Sequence, residues 1–244
     1  MGRNPRERAP HGLARWLSKY GLASRAEAER WVREGRVALN GRIVRDPYKV
    51  CLPSVEEIQI DGKPVRTAPR IYLALHKPKG YVTTSRDPEG RPTAYDLVPR
   101  ENRNVHAVGR LDKDTSGLLL FTNDTHFAAR VTEAEDGVEK EYIARVKGTV
   151  SPATASSFST GVLLDGRLTL PAECTLLGAD AGSTRVRVVL TEGRNRQVRR
   201  MWELLGHPVI ELKRVRIGRI RLGRLPEGKT RPLTAAERRE FALP

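Results

Sequence analysis

Cysteine, methionine and the aromatic residues are all scarce in this chain, which has two Cys, two Met and an aromatic share of 5% among 244 residues. Cys51 and Cys174 lie far apart, which excludes a disulfide framework and a paired-thiol zinc site. The five histidines, His11, His76, His106, His126 and His207, are scattered without metal-ligand spacing. No apolar run approaches the roughly 18 residues that a membrane span needs. The opening residues, Met1 to Gly12, are charged and have no hydrophobic stretch behind them, so they do not read as a secretory signal. Negative charge is in short supply too: 29 Asp and Glu face 44 Lys and Arg, giving a net charge of +15 and a pI near 10.4. Such an imbalance favours a polyanionic partner, whether RNA, DNA or an anionic surface. The expectation is a protein of the reducing cytoplasm with no metal and no membrane association.

What is present divides the chain in two. Residues 1–11 read as a basic tail. From Leu13 the pattern turns helical, with Leu13, Trp16, Leu17 and Tyr20 on one apolar face and Gly21 as its end. Ser24 and Glu27 have the spacing of a capping box. The helix they open turns Ala28, Trp31 and Val32 inward and closes near Gly35. Asn40-Gly41 between Val37-Ala38-Leu39 and Ile43-Val44 is a strong hairpin signal, because both turn positions favour positive φ. The run Glu57 to Ile60 alternates as a strand and meets a second such turn at Asp61-Gly62. Residues 12–66 thus form a small helix-helix-strand unit, and Thr67 to Arg70 a linker in which Pro69 discourages helix.

Beyond Ile71 short β-type runs dominate: Ile71 to Leu75, Val105 to Val108, Leu118 to Thr122, Tyr142 to Val146 and Val186 to Leu190. Helical patterns fall near 124–132, 152–160 and 195–205, the last with Val198, Met201, Trp202 and Leu205 as its stripe and Gly206 and Pro208 as its stop. The fold class is therefore α+β: a small N-terminal module, then a domain over 71–244 with a large mixed, mainly antiparallel sheet flanked by helices. Positive charge concentrates between Arg185 and Arg231, where fourteen Lys and Arg meet four Asp and Glu. In Arg214-Val215-Arg216-Ile217 basic and apolar residues alternate, which predicts one buried strand face and one exposed cationic stripe suited to phosphates.

The most informative stretch is Gly109-Arg110-Leu111-Asp112-Lys113-Asp114-Thr115-Ser116-Gly117-Leu118-Leu119-Leu120-Phe121-Thr122-Asn123-Asp124. It places a carboxylate, Asp112, on a polar loop between two apolar strands, flanked by Arg110 and Lys113, which favour its ionised form. This string resembles the signature of the bacterial ribosomal-RNA pseudouridine synthases that carry an N-terminal RNA-binding module. Further elements follow in that family's order. Leu75-His76-Lys77-Pro78-Lys79-Gly80 is similar to its KPxG element, Lys140-Glu141-Tyr142 to its KxY element, and Glu192-Gly193-Arg194-Asn195-Arg196-Gln197-Val198-Arg199-Arg200-Met201-Trp202 to its third. Residues 12–66 are similar to its small RNA-binding module. Asn123-Asp124-Thr125 and Thr132 to Asp136 depart from the usual family pattern in loops around the site.

The resemblance implies an isomerase that breaks the N1–C1′ bond of a uridine, turns the base and joins C5 to C1′, with no cofactor. It implies Asp112 as the catalytic residue, Tyr142 lining the base pocket, and Arg199 as the basic partner of Asp112, with Arg194, Arg196 and Arg200 competing for that place. Arg110 is expected to help extrude the nucleotide. RNA contacts are expected at Lys77, Lys140, Arg194, Arg196 and Arg200 and, in the module, at Arg15 and Arg25. The expected partner is ribosomal RNA or a pre-ribosomal particle, met by a monomer. The segments Asp87 to Thr93, Glu192 to Glu203 and Leu225 to Gly228 look most like the branch acting on large-subunit (23S) RNA. A small-subunit (16S) substrate, or a non-catalytic RNA-binding assembly factor, are the alternatives. The route is open among attack at C1′, attack at C6 and proton loss from C2′. A DNA-binding regulator would need a recognition helix, and none is legible.

Overall fold

The computed structural model describes residues 11–19, 22–51, 57–65, 69–132 and 137–241. The basic tail up to residue 10, the helix end at Tyr20 and Gly21, residues 66–68 of the expected linker and the stretch 133–136 lie outside the described residues. The chain divides into two compact units. One runs to Arg70 and includes Asn123–Thr125; the other holds Ile71–Thr122 and the residues from His126 onward.

In the first unit β1 (His11–Gly12) leads into α1 (Leu13–Lys19), and α2 (Arg25–Arg33) follows. Ser24 caps α2: its hydroxyl accepts from the Glu27 amide at 3.2 Å, and the Glu27 carboxylate accepts from the Ser24 amide at 3.0 Å. This is the reciprocal arrangement the spacing predicts. The strands are β2 (Val37–Leu39), β3 (Arg42–Val44), β4 (Val50–Cys51), β5 (Ile58–Ile60) and β6 (Lys63–Pro64). Four of them form a sheet in the order β3-β2-β5-β6, and β4 pairs with β1. The turns at Asn40-Gly41 and Asp61-Gly62 take positive φ at all four positions. Leu13, Leu17, Ala28, Val32, Val37 and Ile58 close one apolar core between helices and sheet.

The second unit contains β7 (Tyr72–Lys77), β8 (His106–Val108), β9 (Ser116–Thr122), α3 (Thr125–Thr132) and β10 (Lys140–Lys147). After these come α4 (Pro152–Ser156), a hairpin of β11 (Leu163–Leu164) and β12 (Arg167–Leu168), β13 (Glu173–Asp180), β14 (Ser183–Leu190) and α5 (Gln197–Leu204). The chain then forms β15 (Val209–Ile217), β16 (Ile220–Arg221), β17 (Thr230–Pro232) and α6 (Ala235–Glu240). Nine strands make one sheet with the main order β13-β14-β10-β15-β9-β7-β17, β16 pairing with β15 and β8 with β9. Among the described strand pairs only β9 and β15 run parallel. The sheet is thus mixed and mainly antiparallel, as the sequence pattern predicts. No helix among the described residues is long and apolar enough to cross a membrane.

Burial explains the strand patterns. Every residue of β9 is buried, because apolar clusters cover it on both faces, and a strand so placed reads as a continuous apolar run. In β10, β14 and β15 only one face is packed. Tyr142, Ala144, Val186, Val188 and Leu212 meet Ala155 of α4, Phe158, and Val198, Met201 and Trp202 of α5. The register makes Arg214 a neighbour of Tyr142, so Arg214 lies on this covered face and is only 5% exposed. The expected exposed stripe through Arg214 and Arg216 is therefore not formed. A bulge in the β10–β15 pairing at Glu141/Tyr142 shifts the alternation. Arg216 is engaged by Glu141 and Glu139, each at 2.8 Å.

Two features lie beside the loop between β8 and β9. At the parallel seam Gly117, with φ +107°, lies so close to β15 that a Cβ would stand 2.2 Å from the Arg214 carbonyl oxygen. Lys77, at the end of β7, is fully buried. Its ammonium donates to the Pro78 carbonyl at 2.9 Å and the Tyr81 carbonyl at 2.8 Å. Burial pushes its pKa down to about 8 against the opposing pull of Asp112 and Asp114.

Gly117→Ala should destabilise the second unit by at least about 3 kcal/mol, since backbone must move at both strands. An unchanged urea midpoint would contradict this packing. For Lys77, the unfolded chain holds its proton up to about 10.5 while the folded chain releases it near 8. Between those values the unfolded state binds more protons, so this lysine makes stability rise with pH. Lys77→Met should remove a rise on the order of 3 kcal/mol, read as the difference between wild-type and variant unfolding free energies at pH 7.5 and pH 10.5. A constant difference would refute the assignment.

Candidate active site

A pocket lined by many ionisable groups opens on the covered face of the large sheet and has a volume of about 470 Å³, within the roughly 300–1,000 Å³ usual for ligand sites. The loop after β8 supplies Arg110 and Asp112, β10 supplies Lys140 and Tyr142, the turn before α5 supplies Arg194 and Arg196, and β15 supplies Arg214. Leu190, Val198, Leu212 and Ile217 form its apolar wall.

The loop carrying Asp112 is fixed from several sides. The Thr115 amide donates to the Asp112 carbonyl at 3.0 Å. Thr83 bridges the Leu111 amide and carbonyl, at 3.2 and 2.8 Å. Arg199 Nη2 donates to the Asp114 carbonyl at 2.8 Å. The Asp112 side chain remains about 31% exposed, so a ligand in the pocket can reach it. Arg196 Nη1 stands 3.9 Å from Asp112 Oδ2 and 3.7 Å from Asp114 Oδ2.

The expected pairing of Asp112 with Arg199 thus differs from what the structure places there. Arg196 holds the nearer guanidinium. It sits at the N-cap of α5 in a left-handed conformation, φ 48° and ψ 31°, which costs a non-glycine residue about 1–3 kcal/mol and is typical of sites where geometry is over-determined. That conformation swings its side chain toward the carboxylates. Arg199, one turn into α5, spends its guanidinium on the carbonyls of Asp114 and Val209. Burial, and then the field of Arg196, lower its pKa.

The other expected residues separate into two groups. Arg110 is exposed at the pocket. Lys140 lines it with its ammonium on the Val138 carbonyl at 3.0 Å, and burial first, Arg214 second, lower its pKa. Lys77, Arg194 and Arg200 do not present free cations. Lys77 is buried as described. Arg194 donates to Glu192 at 3.1 Å and to the Leu168 carbonyl at 2.6 Å, and Arg200 pairs with Asp165. These two arginines clamp the β11–β12 hairpin to α5. Glu192 and Gln197 complete the clamp: Glu192 Oε1 accepts from the Leu170 amide at 2.9 Å and from Gln197 Nε2 at 2.6 Å. Much of the Glu192–Arg200 segment is therefore scaffold. In the first unit Arg15 and Arg25 are exposed, Arg25 within 3.4 Å of Glu29.

Arg214 was not expected in the pocket. Its Nε donates to the Leu118 carbonyl at 2.8 Å, while Nη2 is buried without a partner among the described residues. An unpaired buried guanidinium nitrogen is costly unless a ligand completes it. The signal available in the sequence was the spacing of two from Leu212, which puts Arg214 on the buried face of a strand.

A family model described as RNA pseudouridylate synthase matches residues 71–204, and an S4 domain model matches residues 12–56. The chain is 36% identical over 227 residues to the ribosomal large subunit pseudouridine synthase B of Bacillus subtilis, covering 92% of this chain and 93% of the relative. It is 39% identical over 232 residues to the protein of that name from Escherichia coli, covering 92% of this chain and 80% of the relative. A crystal structure of a pseudouridylate synthase superposes with a TM-score of 0.69 at 30% identity, over 95% of this chain and 100% of the other. With an S4 domain ahead of a sheet domain that matches throughout its motif-bearing part, the chain belongs to the RNA pseudouridylate synthase family.

Proposed function

We propose that this enzyme converts a specific uridine of large-subunit ribosomal RNA to pseudouridine, with Asp112 as its reacting carboxylate. The observation that carries the reading is the single pocket in which Asp112 and Tyr142 stand among Arg110, Lys140, Arg196 and Arg214. The relatives named as large-subunit synthases, matched along 93% and 80% of their length, support the choice of RNA.

The reaction is an isomerisation. The N1–C1′ bond breaks, the base turns, C5 bonds to C1′, the C5 proton leaves and N1 takes one up. The chain's residues fit that sequence. Asp112, held by its backbone and flanked by Arg196, can attack the nucleotide or stabilise positive charge at C1′ without first being repositioned. Tyr142 offers a ring face to the base, and its hydroxyl offers a proton-transfer group. The free Nη2 of Arg214 and the ammonium of Lys140 are donors for uracil carbonyls or a phosphate. Arg110, at the rim, can fill the space of an extruded nucleotide, since a stacked base is out of reach of the carboxylate. Arg199 acts on the site by holding the Asp114 carbonyl and, through it, the loop. The S4 domain, with Arg15 and Arg25 on its surface, grips a neighbouring stem and raises the effective concentration of the uridine at the pocket.

Asp112→Asn keeps shape and removes charge. On an unmodified 23S transcript it should lower single-turnover isomerisation by at least about a thousandfold, about 4 kcal/mol, while its affinity for that RNA stays close to wild type. Measurable turnover by the purified variant would remove Asp112 from this role.

A further inference from the structure

A second basic concavity lies on the reverse of the sheet. In the regular stretch of pairing, Tyr142, Ala144, Leu212 and Arg214 occupy the face that carries the pocket, so Ile143, Arg145, Glu211 and Lys213 occupy the other. Strand β14 adds Arg185 and Arg187 to this second face, opposite Arg145 and Ile143. Of these residues Ile143, Arg145, Arg185, Glu211 and Lys213, with Lys79 and Glu227, border a groove of about 770 Å³.

The groove sets like charges against each other. Arg145 and Arg185 are directly opposed across β10 and β14, and like charges so placed destabilise a sheet. Two residues along β14, Arg187 has carboxylates to meet, Glu173 at 3.3 Å and Glu141 at 3.9 Å. Arg185 has none. Within the groove only Arg145 is paired, with Glu211 at 3.1 Å. Lys79, Arg185 and Lys213 are exposed and make no ion pair or side-chain hydrogen bond among the described residues. Glu211 feels two of them: its pKa is lowered first by the hydrogen bond from Arg145 and further by the fields of Arg145, Lys79 and Lys213. Four cations thus converge on two carboxylates, with a like-charge pair at the centre. Self-repulsion of this kind is relieved by an anion that spans several cations at once, which describes the repeating phosphates of a nucleic-acid strand rather than a single small ion.

We infer that the reverse-face groove bordered by Lys79, Arg145, Arg185 and Lys213 binds the sugar-phosphate backbone of a second segment of the RNA substrate, apart from the segment that enters the catalytic pocket. The inference rests on the reading of RNA as substrate. It adds that the enzyme holds its RNA on both faces of the sheet. Contacts of this kind are to phosphate, so they position the RNA without reading its sequence.

The test is binding of an unmodified 23S rRNA transcript as a function of salt, for the wild type, Asp112→Asn, and the triple variant Lys79→Gln/Arg185→Gln/Lys213→Gln. The triple variant should bind at least about tenfold more weakly near 0.1 M salt, with the slope of log affinity against log salt reduced by about two, while Asp112→Asn keeps the wild-type slope. Its thermal midpoint without RNA should equal or exceed that of the wild type, because Arg185→Gln removes the opposed charge. Independently, Lys79 and Lys213 of the unaltered protein should be protected from an amine-acylating reagent when the transcript is bound, as read by mass spectrometry. Equal affinity and slope for the triple variant would overturn the inference, and so would undiminished labelling of both lysines in the complex. Neither readout requires turnover. Isomerisation of the same transcript by the wild type, scored separately, tells a failure of the substrate reading from a failure of the groove.

Discussion

The parallel contact between Gly117 and Arg214 is the constraint on which the rest of the second unit depends. It joins the half of the sheet built from β7, β8 and β9 to the half built from β10, β14 and β15. Only a residue without Cβ fits there, and five residues before it stands Asp112. The seam therefore sets the carboxylate, carried by one half, against Tyr142 and Arg214, carried by the other. A loop residue acquires the precision of two strands. The Arg199 bond to the Asp114 carbonyl and the Thr83 bridge to Leu111 reinforce this from α5 and from the chain after β7. Long-range pairing is thus what brings residues as far apart in the chain as Asp112 and Arg214 into one pocket.

Electrostatics then follow from where the cations are held. Some are structural, with their donors occupied: Lys77 under the loop, Arg194 and Arg200 on the hairpin, Arg216 on the carboxylates of β10 and its approach. Others keep capacity for a ligand: Arg110, Arg214 and Lys140 at the pocket, and Lys79, Arg185 and Lys213 on the reverse face. The high net charge of the chain is therefore only partly an RNA-binding surface. The distinction matters for mutagenesis, because removing a cation of the first group takes hydrogen bonds out of the fold, whereas the exposed Arg110, Lys79, Arg185 and Lys213 are proposed to act on RNA affinity.

Much of this was legible in the sequence where local chemistry decides structure. The capping box at Ser24, the positive-φ turns at Asn40-Gly41 and Asp61-Gly62, and the helix over the Val198, Met201 and Trp202 stripe all depend on near neighbours. The loop position of Asp112 between two apolar strands was legible too, as were the order of the motifs and the family they resemble. What escaped depends on contacts between distant segments. Arg214 was expected on an exposed stripe because basic and apolar residues alternate there, and only the register with Tyr142 and the bulge in β10 reveal it as buried. Arg199 was expected at Asp112 because the family resemblance placed the basic partner within the third motif, whereas the left-handed turn at Arg196 is a backbone event with no residue-type signature. Lys77 and Arg194 look like surface cations by composition; the carbonyls that hold Arg194 come from the distant β11–β12 hairpin, while Lys77 is buried and held by the nearby carbonyls of Pro78 and Tyr81.

The central claim is that this constellation exists to isomerise a uridine of the large ribosomal RNA. Chemical mapping of pseudouridine on unmodified 23S and 16S transcripts, each incubated with the purified full chain, tests it most directly. The account predicts one new pseudouridine in 23S RNA and none in 16S RNA. Modification confined to 16S RNA, or none in either under conditions where the protein binds the transcripts, would contradict it.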